Sequence, residues 1–229
     1  MKLKVLSFFT VLLVSGSVMA QSLQVKAGIN QANVSITDNG SVDNAKQLTS
    51  FQVGIVGDLP LGSKMLSFQP GILYTGKGSK AQSGSTSSST YSIQTFNPKY
   101  IEIPANFVFK LPFSKEGRVF AGAGPYLGIG IAGKNKVVGK FAGIDYSGEK
   151  DIKFSNDDPT TTSEDEGAGF GIMRRFDYGL NGIAGIETSS AVFSVNYGYG
   201  LAKLQSGSNS SANDANKHRV LSVSVGFKF

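Results

Sequence analysis

The last ten residues read VLSVSVGFKF (Val220–Phe229) and sort in one way only. In an extended chain Leu221, Val223, Val225, Phe227 and Phe229 fall on one face, and Ser222, Ser224, Gly226 and Lys228 on the other. Side chains alternate along a strand, so this segment is a strand with one apolar and one polar face. A helix, with its period of about 3.6 residues, would scatter the same residues around its axis.

Working back along the chain, the same alternation recurs. Phe193, Val195, Tyr197, Tyr199 and Leu201 oppose Ser194, Asn196, Gly198 and Gly200. Ile101, Ile103, Ala105, Phe107, Phe109 and Leu111 oppose Tyr100, Glu102, Asn106 and Lys110. Five more segments read alike. Leu23, Val25, Ala27 and Ile29 stand against Gln24, Lys26 and Asn30, and Phe51, Val53 and Ile55 against Gln52 and Gly54. Leu66, Phe68, Ile72 and Tyr74 oppose Ser67, Gln69 and Lys77. Val119, Ala121, Ala123, Leu127, Ile129 and Ile131 oppose glycines and Tyr126, and Phe176, Tyr178, Leu180 and Ile186 oppose Asp177, Asn181 and Glu187. Each segment is long enough for a tilted strand to cross a hydrocarbon layer. Charges such as Glu102 and Lys110 are expensive against lipid, so the polar faces must point inward.

The expected fold is therefore all-β, an eight-stranded antiparallel up-and-down transmembrane β-barrel. The intervals between segments support it: about 37–47, 58–64, 79–99, 112–117, 133–174, 188–190 and 205–217, alternately long and short. Outer-membrane barrels have long external loops and short periplasmic turns, so both termini are expected in the periplasm. A soluble lipocalin-like barrel requires neither this regularity nor lipid-compatible outer faces. The aromatics sort by end as two interfacial girdles would, with Tyr74, Tyr178 and Tyr199 near the external ends and Phe107, Phe109, Phe227 and Phe229 near the periplasmic ends.

The beginning of the chain sets the compartment. Lys2 and Lys4, the apolar run Val5 to Val14, and Val18-Met19-Ala20 read as a secretory signal peptide at 1–20, cleaved after Ala20, ahead of one barrel domain at 21–229. With no Cys, neither a lipid anchor nor a disulfide framework is available. The sequence carries 29 Gly, 16 Phe and 8 Tyr against 7 Pro, which suits strands. Without Lys2 and Lys4 its 22 basic residues become 20, against 16 acidic ones, and this mild, dispersed excess argues against a nucleic-acid partner.

The runs YIEIPANFVFKL (Tyr100–Leu111), FAGAGPYLGIGI (Phe120–Ile131), FDYGLNGIAGIE (Phe176–Glu187) and VNYGYGLAKL (Val195–Leu204), with the terminal strand, resemble the outer-membrane β-barrel family common in Bacteroidetes and often labelled PorT-like. The resemblance implies fold and outer-membrane location and brings no catalytic or ligand-binding residue with it. Because the founding member is associated with protein secretion machinery, it also implies an accessory role in secretion or assembly as a second reading. Phe229 at the end of an alternating aromatic strand resembles the signal by which barrel-assembly machinery recognises its clients. The expected partners are outer-membrane lipid, that machinery, and a secretion or surface partner of unknown identity.

Candidate chemistry is sparse, and no cofactor or metal is expected. GIGIAGK (Gly128–Lys134) matches G-x-G-x-x-G and most of a phosphate-binding loop, but Asn135 stands where Ser or Thr should bind magnesium, and the glycines fall in a strand. His218, the only histidine, is expected as a solvated residue at the external rim, with Ser206, Ser208 and Asp214 nearby in sequence as conceivable members of a hydrolase triad. Asp151, Asp157, Asp158, Glu164, Asp165 and Glu166 are dense enough to hold a hard cation but have no EF-hand spacing. The serine run Ser83–Ser89 reads as low-complexity loop. Lys26, Glu102, Lys110, Asp177, Asn181 and Lys228 are expected to form a paired polar network in the lumen, because eight strands leave an interior just wide enough for side chains. A plugged, non-catalytic barrel is the reading these residues favour over a small channel or an enzyme.

Overall fold

A computed structural model describes residues 22–35, 47–155, 172–204 and 217–229. The segment 1–20, the acidic residues Asp157, Asp158, Glu164, Asp165 and Glu166, and Ser206, Ser208 and Asp214 lie outside the described residues.

Every described element is a strand: β1 Ser22–Ser35, β2 Leu48–Leu61, β3 Ser63–Gly76, β4 Ser79–Ser83, β5 Tyr91–Pro112, β6 Arg118–Phe141, β7 Ile144–Asp151, β8 Lys153–Phe154, β9 Ile172–Met173, β10 Phe176–Glu187, β11 Ala191–Gly200 and β12 Lys217–Lys228. Eight of them close a ring in the order β1-β2-β3-β5-β6-β10-β11-β12, each antiparallel to its neighbours, with β12 returning to β1. The closing seam is long, running from Gln24 opposite Lys228 to Ser35 opposite Lys217. Closure removes every sheet edge from the barrel wall, which matters because an unpaired backbone group in lipid is costly.

The expected alternation is visible as burial. Ile29 is 61% exposed, Val223 60% and Phe193 59% on the outer face, whereas Gln24, Asn30, Asn106, Asp177 and Ser222 are buried inside. A band of solvent-exposed Ile, Val, Leu and Phe is unstable in water and suited to hydrocarbon. Gly124 shows how tightly the wall is drawn: a Cβ there would lie 2.0 Å from the carbonyl oxygen of Ala105 on the facing strand.

The long intervals differ from the loops expected at 79–99 and 133–174. β5 and β6 continue past the barrel as paired strands from Tyr91 opposite Lys140 to Asn97 opposite Lys134, flanked by β4 on one side and β7 on the other. The β6–β7 connection is the tight turn Ala142-Gly143, both residues at positive φ, of 50° and 85°. A search for lipid-facing alternation misses this sheet because its strands do not alternate between an exposed and a buried face; β7 is exposed at all eight residues and Tyr91–Asn97 of β5 is half-buried throughout. Of the serine run, Ser83 closes β4 and the remainder forms an exposed turn.

Candidate functional site

The barrel interior is where the chain concentrates its buried charge. At the end remote from the start of β1 and the close of β12, Lys77 enters from the close of β3. Its Nζ lies 2.7 Å from Glu102 and 2.8 Å from Asp177, and 4.0 Å above the ring of Tyr126. The Tyr126 hydroxyl also donates to Asp177 at 3.2 Å, and Asn181 donates to Glu102 at 3.4 Å. The two carboxylates thus share one cation and each has a neutral donor of its own, which helps to keep the buried charges tolerable.

Tyr100 and His218 cover this cluster. Their side chains meet at 3.3 Å between Tyr100 Oη and His218 Nε2, with the rings edge to face at 5.5 Å. His218 is fully buried, which corrects the expectation of a solvated rim residue. The reason is that β8, β9 and the segment after β11 fold over the mouth. Ile152, Met173 and Leu204 form an apolar cluster there with Phe154, Phe96 and Val34, and Phe154 reaches the Tyr100 ring at 6.0 Å. The glycines of Gly128–Lys134 serve this packing. A Cβ on Gly130 would lie 2.2 Å from the Phe154 ring, and the whole stretch lies within β6 rather than between a strand and a helix, as a phosphate loop would require.

A second cluster occupies the end at which β1 begins and β12 ends. Lys110 contacts Asp58 and reaches Glu187 at 2.9 Å; Glu187 also receives Arg118 at 3.1 Å and Lys228 at 3.5 Å. Val108, Phe120, Ile183 and Val192 make an apolar layer next to it. Between that layer and the Lys77 cluster lies a chamber of about 40 Å³ lined by Gln24, Lys26, Gln52, Asn106, Asn196 and Ser222, among others.

The six residues expected in the lumen therefore all point inward but do not form one network. Glu102, Asp177 and Asn181 meet around Lys77, and Lys110 meets Lys228 through Glu187. Lys26 stands apart, donating to Asn196 at 3.0 Å. Sequence reasoning placed Lys77 and Glu187 on inward faces yet left them out of the network; it missed Arg118, the first residue of β6, and Asp58, which continues the inward face of Gln52 and Val56 in a strand that runs on through the expected turn at 58–64. Phe229 is 78% exposed, and its backbone pairs with Leu23 at the start of β1. Among the described residues no group of three or more His, Cys, Asp or Glu could hold a metal ion.

No curated protein matches the sequence closely. Solved structures similar to the chain include the attachment invasion locus protein Ail of Yersinia pestis, at 17% identity over 92% of this chain and 100% of that one, TM-score 0.39. Neisserial surface protein A is 15% identical over 91% and 95%, TM-score 0.45, and OprG from Pseudomonas aeruginosa is 12% identical over 92% and 97%, TM-score 0.33. Likeness at these identities says nothing of activity. The sequence also matches the family described as outer membrane protein beta-barrel domain across residues 19–206, most of its length, and the chain belongs to that family.

Proposed function

We propose that the protein is a non-catalytic integral outer-membrane barrel whose work is done by the sheet that projects from the end opposite the termini. The observation that carries this reading is a contrast between the two parts of the molecule. The lumen is filled by ion pairs and apolar layers, which suits neither a substrate cleft nor an open pore, whereas β4, the outer parts of β5 and β6, and β7 form a four-stranded surface of mixed polar and apolar side chains, Phe141 and Ile144 among the most exposed. On this reading both termini are periplasmic, residues 1–20 are an export signal removed after Ala20, and the projecting sheet is a contact surface outside the cell. Phe229 is the residue that assembly machinery would read.

An epitope inserted between Ala142 and Gly143 tests the orientation. It should be labelled on intact cells and leave the barrel folded; labelling only after the outer membrane is permeabilised would reverse the topology and remove the proposal. The resemblance of Tyr100–Leu111 and its companion runs to PorT-like proteins supports a second reading, an accessory factor for secretion or assembly acting from the periplasmic side. Deleting residues 138–170 separates the two, because it should abolish function only if the projecting surface is what works.

A further inference from the structure

The projecting sheet and the lipid-facing wall share one continuous outer face. Phe96 packs into the apolar cap over the mouth, so Thr95, Asn97 and Lys99 turn the other way. Residues directly opposite in a ladder lie on the same face. Lys80 of β4 and Lys136 of β6 both stand opposite Thr95, and Lys99 stands opposite Gly76 of β3 and Ala132 of β6. Two residues below Lys99 the same face continues as Ile101 opposite Tyr74, part of the barrel wall.

The charges on this face are unevenly placed. Along the β6–β7 ribbon, Lys134, Lys136 and Lys140 stand opposite Asp151, Glu149 and Asp145, so cations and acids balance there. Lys134 reaches Glu149 at 2.5 Å and Lys140 reaches Asp145 at 3.4 Å. On the β4–β5 side the face carries cations alone. Among the described residues neither Lys80 nor Lys99 meets a carboxylate: Lys80 faces Thr95, and Lys99 faces a glycine and an alanine. Lys99 holds its ammonium 5.1 Å over the ring of Phe51, which packs on Tyr74 with ring centroids 5.8 Å apart. Phe51 is half exposed on the outer wall. A lysine stem laid over outward aromatics with its charge beyond them marks the boundary between hydrocarbon and headgroups.

We propose that Lys99 and Lys80 hold a membrane-embedded lipid whose bulky headgroup carries more than one phosphate. Lys99 sits at the headgroup boundary. Lys80 is level with Thr95, four residues further on, which is about 13 Å along the strand and, at the usual tilt, about 10 Å along the membrane normal. That span exceeds the roughly 5–8 Å interfacial layer of a simple phospholipid leaflet, so two separate phosphates on a large headgroup fit it better than one. Thr95 and Asn97 line the interval between the two cations with neutral polar groups. This deepens the surface role proposed above and rests on its orientation for one point only, that the leaflet supplying the lipid is the outer one.

The test titrates the refolded mature barrel in a neutral detergent with diphosphoryl lipid A and follows binding by native mass spectrometry. The barrel should retain the lipid, and lipid A stripped of both phosphates should bind at least about tenfold more weakly. No retention of lipid A, or equal retention of the phosphate-free lipid, overturns the proposal without recourse to a variant. Lys80→Gln combined with Lys99→Gln should lose about tenfold in affinity, and Lys80→Arg with Lys99→Arg should keep it, because the charges remain. Lys115→Gln with Lys150→Gln removes the same charge from the β5–β6 turn and from the other face of the ribbon, and should bind as the unaltered barrel does. Undiminished binding by the folded Lys80/Lys99 glutamine pair, or an equal loss in the Lys115/Lys150 pair, overturns the assignment. So does inorganic pyrophosphate binding as tightly as lipid A, which would make a soluble anion the ligand. None of these results depends on which side of the membrane the sheet occupies, so this measurement and the epitope labelling fail independently.

Discussion

Lys110 shows what a single buried residue does in this barrel. It is almost wholly enclosed and is the shared partner of Asp58 and Glu187. Replacing it with Met leaves Asp58 with no cation in contact and Glu187 with only the partly exposed Arg118 and the longer contact to Lys228. Removing one partner of a buried pair typically costs about 3–5 kcal/mol, because the remaining charge stays buried. Lys110→Met should therefore lower markedly the urea concentration at which the heat-modifiable band is lost. Lys134→Met, on the exposed ribbon outside the lumen, is the control and should change that midpoint little.

At the scale of elements, the strands obey two solvents. The outer positions of β12 and β11, Val223 and Val195, lie opposite each other in the ladder and face outward. An arginine at the bilayer midplane costs about 2–4 kcal/mol in a barrel, so Val223→Arg should destabilise by that order in vesicle unfolding. The projecting hairpin answers to water instead. Lys134 and Glu149, opposite sides of the β6–β7 ribbon, pair at 2.5 Å on its exposed surface. Their hydrogen bond, and then their charge, raise the Lys134 ammonium above its ordinary range and hold the Glu149 carboxyl below its own. A depressed carboxyl contributes above its unfolded value and is lost as pH falls through the folded one; a raised amine contributes below its unfolded value and is lost as pH rises through the folded one. Hydrogen-exchange protection factors of the β6–β7 amides should thus hold across neutral pH and decline at both extremes, with added salt weakening the effect.

For the whole molecule, closure and filling act together. Eight strands enclose an interior about wide enough for side chains, and here those side chains stack as an apolar cap, the Lys77 cluster, the small chamber, an apolar layer and the Lys110 cluster. Such a barrel should resist SDS until boiled and then migrate differently on a gel, from an outer-membrane fraction. In planar bilayers it should give no steady open-pore current, since ions would have to break both paired layers to pass. A stable, ohmic conductance would show that the layers open, and would replace the surface reading with a channel.

Alternation determined the eight wall strands and their inward and outward faces, because two different environments on the two sides of a sheet impose a period of two, and the alternately long and short intervals gave the up-and-down order. Lys26, Glu102, Lys110, Asp177, Asn181 and Lys228 were legible as inward for that reason. Which of them meet was not legible, since the pairing depends on the stagger between strands far apart in sequence: Lys77 reaches Asp177 across 100 residues. The burial of His218 was equally hidden, because it follows from segments folding over the mouth rather than from the strand that carries it. The extension of β5 and β6 into water left no mark in a pattern read for lipid. The placing of Lys26 between Gly54 and Gly226 emerges only when β2 and β12 are brought to either side of β1, which is a property of the closed ring and not of any one strand.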